Sequence, residues 1–321
     1  MAGQNTTFSI GGWYGTVPGV AHESLADVCT ILDSFQTPFF SSAPKIKVSD
    51  VVFSWSVDTL MTPSTTSQLE ASAFVVSANT DPARLTNLCQ VFRDDIEVTD
   101  RARTINPAGI RDFYDHQVMK GFKFLARSYE SWVFQKYSTA AATTSATATG
   151  NATTAPTASN FRGFSIILSA VNTTTSAVAT ADIIALSESL FNAGAEPDSM
   201  WFAPANKRQF VAVLSANSGN TRNIAAMDKT MIQNVDVYES PFNQLYAVIT
   251  DRFIPTATVS SSGAGYYIGD RAMAKVAFFR PPQHKPLGKV SDTTRGIVLM
   301  DCSLMLDHPS AWGAVTGVIN T

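Results

Sequence analysis

Between Ile110 and Val133 the large apolar residues Ile110, Phe113, Val118, Phe122, Leu125, Tyr129, Trp132 and Val133 recur three and four positions apart, while Arg111, Asp115, Lys123, Arg127 and Glu130 take the remaining surface. That spacing winds one apolar stripe along a helix of 3.6 residues per turn. Asn106-Pro107 supplies a start, an asparagine that accepts from free backbone amides and a proline whose missing N–H costs nothing in a first turn. The pattern predicts one helix from Pro107 to Lys136, roughly 45 Å long at about 1.5 Å per residue. Gly121 would weaken such a helix in isolation by about 1 kcal/mol relative to Ala, so the helix needs a close packing partner. A stripe of this length restricts the chain to folds built along it.

Upstream the period changes to two. Val51, Phe53, Trp55 and Val57 share one face and Val52, Ser54, Ser56 and Asp58 the other, the pattern of a half-buried strand. A polar excursion rich in Thr, Ser and Pro then runs from Asp58 to Asp81, with an apolar patch at Phe74, Val75 and Val76. A second strand begins near Asn87, setting Leu88, Gln90, Phe92, Asp94, Ile96 and Val98 against Cys89, Val91, Arg93, Asp95, Glu97 and Thr99. Two strands around a long polar excursion imply an extended hairpin.

Met1 to Pro44 reads as an arm, with a short helix from His22 to Asp33 ended by Thr37-Pro38-Phe39-Phe40. Ser138 to Ser159 is almost wholly Ala, Thr, Ser, Gly and Asn, and such text buries too little apolar area to offset its ordering entropy. Beyond it come an apolar run at Phe164 to Leu168, a helix from Ala181 to Asn192 closed by Gly194, a strand at Met200-Trp201-Phe202 and a helix from Pro204 to Leu214. Strands follow at Val235 to Tyr238, Leu245 to Thr250, Tyr266 to Ile268, Ala274 to Arg280 and Gly296 to Leu306. This alternation predicts a compact α/β unit followed by a β-rich tail.

The chemistry-bearing residues are scattered. His22, His116, His284 and His308 form no H-x-x-x-H or H-E-x-x-H pair, and Cys29, Cys89 and Cys302 show no C-x-x-C spacing, so neither a zinc site nor a disulfide framework is expected. His116 with Asp112 and Asp115 reads as a solvated helix face. Asp94 and Asp95 point to opposite sides of a strand; Asp95 and Glu97 share one, and ion pairs between subunits suit them better than acid–base chemistry. No phosphate-binding or nucleophile-elbow motif occurs, and Ser261 to Gly265 reads as a turn between strands. The N-x-[ST] matches at Asn5, Asn151 and Asn172 are discounted in Thr-rich text without a secretory leader, and Trp55 and Trp132 fit core packing better than base stacking. With 23 basic and 26 acidic residues and no Lys/Arg block, contact with DNA should be weak and nonspecific. No apolar run is long enough to cross a bilayer, and Met1 opens no signal peptide, so no membrane partner is expected.

The order of these pieces resembles the major capsid proteins of tailed bacteriophages, the Hong Kong 97-type fold. The residues that carry the resemblance are Thr37-Pro38-Phe39, Phe53-Ser54-Trp55 through Leu60, Asn87 through Thr99, Ala277-Phe278-Phe279-Arg280-Pro281, Gly296 through Leu306, and Pro309-Ser310-Ala311-Trp312. The fold it implies is α+β: an N-terminal arm (1–44), an extended β-hairpin loop (45–86), a peripheral domain with its spine helix (87–137), a low-complexity loop (138–160), an α/β axial domain (161–270) and returning C-terminal strands (271–321). The function implied is a non-enzymatic shell subunit without cofactor, forming pentamers and hexamers around viral DNA. Its assembly contacts are expected at Asp58, Glu70, Arg84, Asp95, Glu97, Arg111 and Asp115. Scaffolding, portal and decoration proteins are the further partners implied. Because the hairpin strand begins by residue 51, a long N-terminal scaffolding segment is not expected, which leaves a separate scaffolding protein or none. The expected location is the virion capsid, assembled in the host cytoplasm. Two alternatives are an encapsulin-like compartment shell and a hydrolase built on Phe161 to Asp270.

Overall fold

A computed structural model describes residues 36–60, 70, 81–105, 110, 112–134, 161–168, 173–175, 178–216, 235–255, 265–289 and 291–316. The expected helix at 22–33, Cys29, His22, the hairpin tip with Phe74 to Val76, Asn106-Pro107, Arg111, the 138–159 segment and the three N-x-[ST] asparagines lie outside these residues.

In chain order the elements are α1 (Pro38–Ser42), β1 (Lys45–Lys47), β2 (Val52–Val57), β3 (Ala83–Leu88), β4 (Gln90–Thr99), α2 (Asp100–Thr104), α3 (Phe113–Phe134), α4 (Phe164–Ile167), β5 (Thr173–Thr175), α5 (Thr180–Asn192), β6 (Ser199–Phe202), α6 (Pro204–Ala216), β7 (Val237–Glu239), β8 (Leu245–Thr250), β9 (Gly265–Gly269), β10 (Ala274–Leu287), β11 (Thr293–Leu306) and β12 (Trp312–Thr316). They build a four-stranded sheet β1-β10-β11-β4, a six-stranded sheet β5-β12-β9-β6-β8-β7 and the two-stranded hairpin β2-β3.

The long helix is shorter than its periodicity predicts. It begins at Phe113 and runs 22 residues, about 33 Å. Ile110 and Asp112 are not helical, and the first turn is capped by Asp112, whose Oδ1 accepts the Tyr114 N–H at 2.7 Å. Before it, the chain forms the separate short α2, capped by the Thr99 hydroxyl accepting from Ala102 N.

α3 lies across β4 and β11 and covers one face of the four-stranded sheet. Here Gly121 acquires its reason. A Cβ at that position would come within 2.9 Å of Asp94 Oδ2 and 3.1 Å of Val298 Cγ2, so the missing side chain lets helix and sheet close on each other. Gln90, Phe92, Ile96 and Val98 of β4 are buried toward the helix as the alternation predicts, and Asp94 is half-buried between them.

β3 and β4 are one run of chain that changes sheets at Cys89, whose N–H donates to Val51 O at 2.8 Å. Asn87 fixes this junction. Its Nδ2 donates to Leu304 O at 2.7 Å and Arg162 O at 3.2 Å, and its Oδ1 accepts from Arg162 N and Leu88 N, both at 2.9 Å. Asn87→Leu would strand these buried backbone groups. A stability loss of about 3 kcal/mol or more is expected in urea unfolding, and a loss under about 1 kcal/mol would show that the junction is held otherwise.

β10 and β11 pair antiparallel over most of their 14 residues each. Register shifts flank Arg280, next to Pro281 and Pro282, which have no N–H to give to a ladder. At this irregularity Arg280 grips Asp301 with two nitrogens, Nη2 at 2.9 Å from Oδ1.

The main core joins α3, β4 and β11 to the inner side of the second sheet through an aromatic cluster. Phe164 stacks on Trp312 at 4.5 Å between centroids and on Phe134 at 5.5 Å, with Tyr267 and Trp201 packed beside them. A second core, between α5, α6 and the six-stranded sheet, is built on Ile183, Leu186, Leu190, Phe202, Phe210 and Tyr266.

Candidate assembly surfaces

Three features bear on how this chain could join other molecules: the hairpin, the outer face of β4 and the attachment of the first structured segment.

The hairpin is a two-stranded ribbon with Val52 opposite Leu88 and Val57 opposite Ala83. Phe53 is buried and stacks on Trp55 at 5.4 Å; Arg84 Nη2 donates to Ser54 Oγ at 2.7 Å. Between the ribbon and β1 lies an open groove of about 600 Å³, lined among others by Lys47, Asp50, Phe53, Trp55, Arg84 and Met305. Trp55 Nε1 is buried there with no acceptor among the described residues. Asp58 is exposed, its Oδ1 accepting from Thr59 N, and Glu70 is an exposed turn residue.

On β4, Val91 is 56% exposed, and Arg93, Asp95 and Glu97 point outward with it. Arg93 pairs with Asp95 at 2.8 Å, and Glu97 with Arg295 of β11 at 2.8 Å. The Arg295 hydrogen bond holds the Glu97 carboxyl below its ordinary range, whereas burial raises that of Asp94. Asp115 is exposed on the first turn of α3. Of the seven expected contact residues, then, Arg84, Asp95 and Glu97 already have partners within the chain. Asp58, Glu70 and Asp115 face solvent, and Arg111 lies outside the described residues.

The other candidates resolve as local structure. Asp112 pairs with Arg103 at 3.1 Å, His284 Nε2 meets the Tyr114 hydroxyl at 2.8 Å, and His308 Nδ1 accepts from Ser310 N. Burial pushes the Cys89 thiol up to about 12 and Cys302 upward as well, so neither is a reactive thiolate. Among the described residues no group of three or more His, Cys, Asp or Glu could hold a metal, and no helix is long and apolar enough to cross a membrane.

The third feature contradicts the periodicity. Glu130 belongs to the polar positions of α3 by spacing, yet it is fully buried. Its Oε1 accepts the Phe39 N–H at 2.7 Å and its Oε2 the Phe40 N–H at 2.8 Å. Thr37, the residue before α1, makes no side-chain cap of its own, so a carboxylate 90 residues away caps that turn. Tyr129, Trp132, Val133 and Phe134 surround position 130 on the helix, and this loss of a polar side was the available signal.

Comparison with known proteins completes the picture. The model of the family described as SU10 major capsid protein matches residues 1–318. The major capsid protein of Escherichia phage Phieco32 is 22% identical, over 91% of this chain and 93% of its own. Among solved structures, the capsid of the native GTA particle superposes with a TM-score of 0.65 at 12% identity, covering 96% of this chain and 99% of the other. Mycobacterium phage Bobi gives 0.62 at 13% identity, covering 94% and 96%. The SrpI encapsulin of Synechococcus elongatus PCC 7942 gives 0.56 at 11% identity, covering 91% and 94%. What these structures share with the chain is the fold.

Proposed function

Because the chain belongs to the SU10 major capsid protein family, we propose that its subunits form the pentamers and hexamers of an icosahedral shell around the DNA of a tailed bacteriophage. The protein is a major capsid protein of the virion shell, a structural subunit and not an enzyme, with the Hong Kong 97-type α+β fold. The hydrolase reading of 161–270 falls with the family assignment.

The observation that carries the proposal is the hairpin. Two strands alone are marginally stable in water. β2 and β3 nevertheless stand as a separate sheet, with an open groove of mixed polar and apolar lining beside them and an indole N–H that has no acceptor among the described residues. Such a part is completed by a neighbour. In this reading Asp58, Glu70 and Asp115 make the first ionic contacts across subunits. Arg84, Asp95 and Glu97 extend pairs that exist within the chain, and Arg111 acts at the N-terminal end of the spine helix. Residues 1–44 serve as the arm, 45–86 as the extended loop, 87–137 as the peripheral unit with the spine helix, 138–160 as the loop after it, 161–270 as the axial unit, and 271–321 as the strands that return, β10 and β11 to the peripheral sheet and β12 to the axial one. Scaffolding, portal and decoration proteins are partners of the assembled rings. DNA is touched weakly and without sequence preference, and assembly takes place in the host cytoplasm.

The test is to replace residues 58–82 by a two-residue Asn-Gly turn, which suits the register of Val57 against Ala83. Folded subunits that give no closed shells in negative-stain electron microscopy are expected. Normal shells from this variant would overturn the role of the loop, and protein cargo instead of DNA in wild-type shells would favour the compartment alternative.

A further inference from the structure

The carboxylate that caps α1 does not stand alone. Asp251, at the end of β8, is 1% exposed and its side chain hydrogen-bonds Glu130. Asp251 N donates to Phe202 O at 3.0 Å, and Asp251 Oδ1 accepts from Phe253 N at 2.9 Å. No N–H or hydroxyl among the described residues reaches Asp251 Oδ2. Two ionised carboxylates are acceptors only, so a hydrogen bond between them requires one to carry a proton. The pair therefore joins three parts of the molecule: the Thr37–Ser42 segment, the long helix and the end of the six-stranded sheet.

We propose that Glu130 and Asp251 share one proton, and that this proton is a latch which holds the Thr37–Ser42 segment on the molecule and lets it go when the proton is lost to solvent. With the proton in place, the hydrogen bond between the acids leaves lone pairs of Glu130 for the Phe39 and Phe40 amides. Without it, two like charges stand buried side by side, and relief comes from admitting water where the Phe39 and Phe40 amides meet Glu130, which loosens the start of α1. Among the described residues, charged and titratable groups near the pair come from each element packed against it. Arg127 on α3 lies over the Phe253 ring at 5.8 Å, Lys45 after α1 lies over Phe40 at 5.1 Å, Arg252 adjoins Asp251, and Tyr129 sits beside Glu130. α1 itself carries no charge.

The direction of the pH effect follows. Burial, then the Asp251 charge, raises the proton affinity of Glu130, and burial raises that of Asp251; the Phe40 and Phe39 amides oppose this in part. A raised acid stabilises the fold fully below its unfolded value of 4.5 and loses that contribution as pH climbs to the folded value. The latch is closed in acid and opens toward alkali.

Hydrogen exchange of the Phe39 and Phe40 amides in the full chain, corrected for the intrinsic base-catalysed rate, tests this across the neutral to alkaline range. Protection in the wild type should fall by up to about tenfold per pH unit once the shared proton titrates. Asp251→Asn substitutes a permanent amide donor for that proton and should keep the protection while flattening its pH dependence. A flat wild-type profile, or a variant that parallels the wild type, overturns the proposal. Should the variant fail to fold, infrared spectroscopy of the wild type decides. A buried neutral carboxyl band that titrates in step with the loss of protection supports the latch, and its absence at neutral pH refutes it.

Discussion

Phe39→Ala is expected to lower folding stability by about 3–5 kcal/mol, a full large-to-small core penalty, although the residue belongs to a five-residue helix within the 1–44 segment assigned to the arm. The ring is 1% exposed and meets the edges or faces of Phe134, Phe164, Trp201 and Trp312 at centroid distances of 5.7, 5.3, 5.8 and 6.4 Å. These neighbours come from α3, α4, β6 and β12, so no single element can shift to fill the cavity. The measurement is the urea midpoint at constant slope. Phe39→Leu, which keeps most of the volume, should cost under about 1.5 kcal/mol. A loss below about 1 kcal/mol for the alanine variant would mean that the segment is peripheral, contrary to its burial.

Trp312→Ala should cost a similar amount, about 3–5 kcal/mol. The indole is fully buried, stacks on Phe164 at 4.5 Å and donates from Nε1 to Asp270 O at 2.7 Å. It also fills the space over Gly269, where a Cβ would fall 2.2 Å from the ring. Two further variants separate the contributions. Trp312→Phe keeps much of the volume but leaves the Asp270 carbonyl without its donor, and Gly269→Ala keeps the indole but forces it to move. Calorimetric midpoints should rank the alanine replacement of Trp312 lowest. If Trp312→Phe were as damaging, the hydrogen bond rather than the packing would be the larger contribution.

The parts of the fold that repeat were readable in the text. The alternation of Phe92, Ile96 and Val98 and the spacing of Leu125, Tyr129 and Val133 each repeat a local geometry, and local geometry is what periodicity encodes. The start of α3 was misplaced because Asn106-Pro107 and Asp112 both satisfy the rules for a helix start, and only the presence of α2 before the break decides between them. Phe122, assigned to the stripe, is exposed, while Glu130, assigned to the surface, is buried. A wheel projects one partner surface, whereas α3 meets the sheet along its length and α1 and Asp251 at its end. Asn87, Asp251 and the Arg280–Asp301 pair could not be foreseen, because each is defined by a partner 21 or more positions away. Of the contact residues, polarity and position in the loop were legible. Whether an intrachain cation already occupied the carboxylate, as at Asp95 and Glu97, was not.

The change of sheets at Cys89 makes the hairpin a lever. A single residue separates the ribbon from the ten-residue strand under the long helix, and a single residue offers only two soft torsions. Its own amide is tied to Val51 and the residue two before it to Arg162 and Leu304, so the fulcrum is narrow and stiff. A sideways push on the ribbon's tip therefore arrives at the base as torque on β4 and β11 instead of being absorbed as slack. A subunit built this way registers the angle at which its neighbour sits.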